Sequence, residues 1–169
     1  PVAIADVKAI GARHGAKVND VLVAAMSGAL RAYLKQRGVD LRRATVRAMV
    51  PVDLRPPERV GQLGNEFGLV VHELAVSAAR TQQRLALTKA RMDALKRSPE
   101  PIAMRALFDI FGRGPKMLED IANDWFGSKA SVVMTNVAGP RERLYLAVVA
   151  DARLVPDPET ITRQFNREF

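Results

Sequence analysis

The feature that most restricts this chain is Val21-Leu22-Val23-Ala24-Ala25-Met26, a run with no polar position on any side. A helix that is apolar all round has to be buried all round, so other elements must surround it. Ala24, Ala25, Ser27 and Gly28 keep this helix slim and let neighbouring backbones approach closely. Its ends are marked. Asn19 reads as the N-cap, Asp20 sits in the first turn where the positive helix end favours a carboxylate, and Gly38 follows Arg37 as the stop. An amphipathic helix precedes it over residues 4–14, with Ile4, Val7 and Ile10 at helical spacing and Gly15 as its end.

The rest of the chain alternates strand and helix patterns. Residues 45–52 alternate, with Val46, Ala48, Val50 and Val52 on one side and Arg47 and Met49 on the other, which predicts a strand with a polar or functional face. A loop over residues 61–68 leads to a second strand at 67–74. Residues 77–96 read as a long surface helix with a thin apolar stripe of Ala78, Leu85, Met92 and Leu95. Two short helices are expected at 102–111 and 116–126. A third strand is expected at 130–137, broken by Ala138-Gly139-Pro140, and a fourth at 145–150. Asp157-Pro158 opens a terminal helix with Ile161 and Phe165 inward. Alternating helices and strands predict an α/β sandwich with a mixed sheet.

Length allows one domain or one lobe of something larger: 169 residues, 48% hydrophobic and 26% charged, enough to build a core and exclude disorder. No cysteine is present, which excludes a disulfide framework, a thiolate metal site and a Cys nucleophile, and suits a reducing cytosol. No apolar run reaches the roughly 18–20 residues that span a bilayer. The chain opens at Pro1 without a signal-like segment and reads as a piece of a longer polypeptide.

Net charge is +8, an electrostatic footprint that nucleic-acid binders share. Against that class stand one Trp, two Tyr and six Phe in the whole chain, no recognised motif, and cations scattered over most elements. Arg80, Arg84, Lys89, Arg91, Lys96 and Arg97 lie on or beside the long helix, where they predict a solvated face or one drawn to anionic lipid or phosphate. Phe108, Phe111, Trp125 and Phe126, with Ile110 and Met117, form an apolar cluster that reads as core or as a lipid-facing patch.

Catalytic chemistry is hard to place. His14 and His72 are the only histidines and fall in different elements, without HExxH, HxH or a GxSxG elbow. Walker and GxGxxG loops are absent, and Gly61-Gln62-Leu63-Gly64 is too short a signal for phosphate binding. Both histidines are expected to be structural or solvent-facing, no metal site is expected, and nothing in the spacing makes the chain catalytic unaided.

Three motifs carry a resemblance. Asn19-Asp20-Val21-Leu22-Val23-Ala24 resembles the NDV-type motif of the bacterial wax ester synthase/diacylglycerol acyltransferase family. Arg47-Ala48-Met49-Val50-Pro51-Val52-Asp53-Leu54-Arg55, followed by Leu63-Gly64-Asn65, is similar to that family's RAxVPVxxR…LGN segment. Thr135-Asn136-Val137-Ala138-Gly139-Pro140, followed by Leu144-Tyr145-Leu146, resembles its (S/T)NVPGP turn, with Ala138 replacing the first proline.

All three belong to the family's C-terminal half. The resemblance therefore implies that residues 1–169 are the C-terminal lobe of a two-lobed O-acyltransferase with chloramphenicol-acetyltransferase-like architecture, a two-layer sandwich with covering helices. The HHxxxDG histidine that serves as general base would lie in the N-terminal catalytic lobe, outside this chain, so this lobe alone is expected to be inactive. Acyl-CoA would be a substrate rather than a cofactor, the acceptor a fatty alcohol or diacylglycerol, and the product wax ester or triacylglycerol.

Asn19, Asp20, Thr135 and Asn136 are implied as active-site support, the last two as candidate donors to the thioester oxygen, and Arg47 as a lobe-interface residue. The implied location is cytoplasmic, peripheral to the inner membrane or lipid droplets. Family members carry a few dozen more residues near Ala147-Val148, so the resemblance implies a missing segment there. A non-catalytic lipid- or membrane-surface binding module is the alternative reading.

Overall fold

The computed structural model describes residues 2–53, 58, 67–99, 102–103, 106, 132–139, 142–150, 152–153 and 155–169. Their order is β1 (Val2–Ala3), α1 (Ile4–His14), α2 (Val18–Gln36), β2 (Arg47–Asp53), β3 (Phe67–Glu73), α3 (Thr81–Arg97), β4 (Val132–Gly139), β5 (Arg143–Ala150) and α4 (Pro158–Asn166). The chain is α/β, as the alternating patterns predict. Of the short helix expected at 102–111, residues 102, 103 and 106 are described and helical; of the loop expected at 61–68, residues 67 and 68 already belong to β3. The rest of both, the helix expected at 116–126 and the aromatic cluster around Trp125 lie outside the described residues.

Two compact units divide these elements. The first holds Pro1–Val46, Glu73–Ala90 and Ser131–Phe169, and the second Arg47–His72 and Arg91–Ala130. In the first, β1, β5 and β4 form a three-stranded sheet in that order, and both pairings are antiparallel. β1 has only two residues, too few to show a period, and sequence reasoning missed it.

Around α2 the first unit builds its core. Val21, Leu22, Val23, Ala24 and Ala25 are all buried, as a helix without a polar side requires. Ser27 is buried too, and its hydroxyl donates to Val23 O at 2.8 Å, satisfying it within the helix. α1 ends where expected, at Gly15, whose φ of 60° is the left-handed exit that glycine adopts without strain. α4 lays Ile161 and Phe165 inward and packs on α2 and β5.

The start of α2 corrects the expected cap. Lys17 is the N-cap, and Asn19 is the second helical residue and exposed. Asp20, at the third helical position, reaches back so that Lys17 N–H donates to its Oδ2 at 2.8 Å. This is half of a capping box, and a lysine side chain, which has no acceptor, cannot supply the other half.

Asp157 precedes α4 as its N-cap residue, but its carboxylate is directed at α2 instead of the first-turn amides. Tyr33 OH donates to Asp157 Oδ1 at 3.0 Å, Arg37 pairs with the same oxygen, and the Arg37 guanidinium lies 4.4 Å over the Tyr33 ring. Burial, followed by the bond to Asp157, raises the Tyr33 phenol above its ordinary value of 10.0. A hydrogen bond with the Thr160 side chain, then those with Tyr33 and Arg37, hold Asp157 below its ordinary 3.8.

A lowered acid contributes stability above its unfolded pKa and loses it as pH falls through the folded one; a raised phenol contributes below about 10 and loses it as pH rises. The melting midpoint should therefore hold between these limits and decline beyond both. Tyr33→Phe should cost about 0.5–1.5 kcal/mol at neutral pH and blunt the alkaline decline, read from thermal melts across pH.

The second unit pairs β2 with β3. Val50 and Val70 pack with the fully buried Met92, and Ala48 and Leu95 lie against them. Arg47 is exposed, as its position on the other side of the strand predicts. His72 is fully buried in β3, whereas His14 is exposed at the end of α1.

Candidate functional site

The β4–β5 hairpin carries the (S/T)NVPGP-like segment. Its register sets Val133 opposite Val149, Thr135 opposite Ala147, Asn136 opposite Leu146 and Val137 opposite Tyr145. Directly opposed residues of an antiparallel pair share a face, and neighbours along one strand fall on opposite faces. Thr135 and Asn136, adjacent in sequence, therefore occupy opposite faces of the sheet.

The two faces differ in burial. Along β5, Arg143, Tyr145, Ala147 and Val149 are exposed, while Leu144, Leu146, Val148 and Ala150 are half-buried. α4 packs on β5. Tyr145 is 45% and Val149 67% exposed, large values for apolar side chains on a sheet. The exposed side of β5 thus carries Arg143, Tyr145, Ala147 and Val149, and the register sets the positions of Val133, Thr135 and Val137 on the same side. In the register Thr135 is the position opposite Ala147, midway along this face. β4 runs on through Ala138 and Gly139 because these pair with Leu144 and Arg143. The strand break expected at Ala138 therefore falls later, and Pro140 lies outside the described residues.

β5 also runs without interruption through Ala147-Val148, each paired to β4. The junction where a missing segment is implied is thus regular strand in this chain.

The other candidate residues are placed separately. Asp20 is 1% exposed and holds the entry turn of α2, and Asn19 presents outward beside it. Arg47 belongs to the second unit, exposed on β2, with no ion pair among the described residues. LGN, residues 63–65, lies outside the described residues. Among those residues no group of three or more His, Asp or Glu could hold a metal ion, and no helix is long and apolar enough to cross a membrane.

The expected basic face of α3 needs correction. Arg84 is 3% exposed and pairs with Glu168, and its NH1 donates to Ala78 O at 3.2 Å and Ala79 O at 2.9 Å. NH2 donates to Thr81 Oγ1 at 3.0 Å. Arg84 is therefore withdrawn from any lipid-facing surface, while Arg80 and Arg97 remain exposed. Sequence reasoning missed this role because Glu168 is 84 positions away.

Comparison with known proteins agrees with this segment. A profile described as the WS/DGAT C-terminal domain matches residues 63–148, just over half the chain and the whole β4–β5 hairpin up to Val148. The chain belongs to the WS/DGAT family. It is 32% identical over 147 residues to a candidate diacylglycerol O-acyltransferase of Mycobacterium tuberculosis strain H37Rv, covering 82% of this chain and 29% of the relative. A second candidate of that strain is 34% identical over 147 residues, covering 77% of this chain and 27% of the relative. A Mycobacterium bovis homologue is 32% identical over 145 residues, with 82% and 31% covered. The chain thus spans under a third of the length of the WS/DGAT relatives it matches. No solved structure matches it.

Proposed function

We propose that this chain is the C-terminal lobe of a two-lobed O-acyltransferase that moves a fatty acyl group from acyl-CoA to a long-chain alcohol or diacylglycerol. The observation that carries the reading is the exposed run of Tyr145, Ala147 and Val149 on β5, with Thr135 at the register position opposite Ala147, in a chain of the WS/DGAT family. A long acyl chain needs an apolar wall, and a thioester carbonyl needs a donor placed where negative charge develops. The exposed apolar residues of β5 support the first role, and the position of Thr135 opposite Ala147 supports the second. The diacylglycerol O-acyltransferase names of the relatives support the same class.

In this reading a histidine of the N-terminal lobe takes the proton of the acceptor hydroxyl as its oxygen attacks the thioester carbonyl. A C–O bond forms, and the carbonyl electrons collect on oxygen, where Thr135 Oγ1 donates. The C–S bond then breaks, and the CoA thiolate leaves and takes up the proton. Of the two candidate donors we take Thr135, because its register position is opposite the exposed Ala147, whereas Asn136 is opposite the half-buried Leu146. Asp20 fixes the entry turn of α2, and Asn19 and Arg47 are exposed and free to meet the N-terminal lobe. Lacking the base, this lobe alone is inactive.

The family match ends at residue 148, which supports reading Ala147-Val148 as the point where relatives carry additional chain. Peripheral association with a membrane or lipid droplet follows from the greasy substrates. The second reading, a non-catalytic lipid-surface module, draws on the same open face.

Thr135→Val keeps the β-branched shape and removes the donor. In the intact protein it should lower kcat about a hundredfold with acyl-CoA and a long-chain alcohol, and leave the melting midpoint nearly unchanged. Unaltered turnover with intact lipid binding would favour the module.

A further inference from the structure

We infer that Glu168 is a positioning residue for the open β4–β5 face, acting through α4; this rests on the acyl-binding reading of that face. α4 packs on both α2 and β5, so its seat bears on how firmly the sheet is held. At its first end, Asp157 ties it to Tyr33 of α2 and to Arg37, the residue that caps that helix. At its far end, Glu168 pairs with Arg84.

That second seat is closely built. The Arg84 guanidinium is already fixed by Ala78 O, Ala79 O and Thr81 Oγ1, so it cannot follow a carboxylate that shifts. On the other side stands Gly28 of α2. A Cβ added there would meet Glu168 Oε1 at 2.2 Å and Oε2 at 2.7 Å, so the carboxylate fills the space that the missing side chain leaves. Two elements distant in sequence therefore shape one slot for one carboxylate. Phe165 and Phe169 meet edge to face at 5.4 Å between ring centroids on either side of it, which fixes the last turn. Loosening the slot at Glu168 or at Gly28 frees the same end of α4, and with it the backing of β5.

The test uses Glu168→Gln and Gly28→Ala in the intact protein, which disturb the slot from opposite sides. Amide hydrogen exchange should speed up at least tenfold in α4 and β5 and stay within twofold in β2 and β3 of the second unit. KM for the acyl donor should rise at least fivefold, with kcat within twofold, because the wall is loosened and the reacting groups are untouched. Wild-type protection of β5 in Glu168→Gln overturns the inference, as does equal acceleration in β2 and β3 or an unchanged KM beside a loosened β5. The exchange comparison needs no turnover, so a failure of the acyltransferase reading shows separately, as a wild-type protein that transfers no acyl group.

Discussion

Glu168→Ala should lower the unfolding free energy by about 3–5 kcal/mol, because it leaves the Arg84 guanidinium buried without a counter-charge. Arg84 cannot swing into water to recover, held as it is by Ala78 O, Ala79 O and Thr81 Oγ1. Removing both charges, as Arg84→Met with Glu168→Leu, should recover more than half of the loss, since well-packed apolar groups often replace a buried ion pair at little cost. Full recovery is not expected. The carbonyls of Ala78 and Ala79 would lose donors, at about 1–3 kcal/mol for a buried group left unpaired. Urea denaturation of the single and double variants measures both numbers. A double variant weaker than Glu168→Ala would show that the pair contributes more than mutual neutralisation.

Met92→Ala should cost about 2–5 kcal/mol, the range for emptying a buried Met site. Among the described residues of the second unit, Met92 is fully buried against Val50 and Val70, with Ala48 and Leu95 alongside. A two-stranded sheet is marginal alone, so β2 and β3 depend on the stripe of α3 that packs on them. Hydrogen exchange should reveal the loss first in β2 and β3. If α1 and α2 of the first unit opened equally early, the two units would not be separable in stability, and this assignment of the core would be wrong.

Legibility in the sequence followed the range of the interactions. α1 and α4 could be placed from nearby punctuation, Gly15 for one and Asp157-Pro158 for the other. Leu85 and Met92 proved buried as predicted, because helical spacing is local information. The errors came from contacts that spacing does not encode. Asn19 looked the better cap, but Asp20 reached back to Lys17. α3 begins at Thr81, not 77, and the preceding carbonyls of Ala78 and Ala79 are taken by Arg84. Arg84 looked solvated until its partner from the far end of the chain was in view. Of the candidate site, the motif residues could be found by resemblance; the separation of Thr135 from Asn136 needed the strand register.

The unbroken course of β5 through Ala147 and Val148 also limits how such a ribbon can be lengthened. Ala147 belongs to the open side and Val148 to the packed side, and they differ by a single step of the pleat. One added residue kept inside the ribbon would turn Val148 and Ala150 outward and bring Val149 to the half-buried side. An insertion at this bond therefore preserves both faces only if it adds an even number of residues to the ribbon or leaves it and rejoins it in phase.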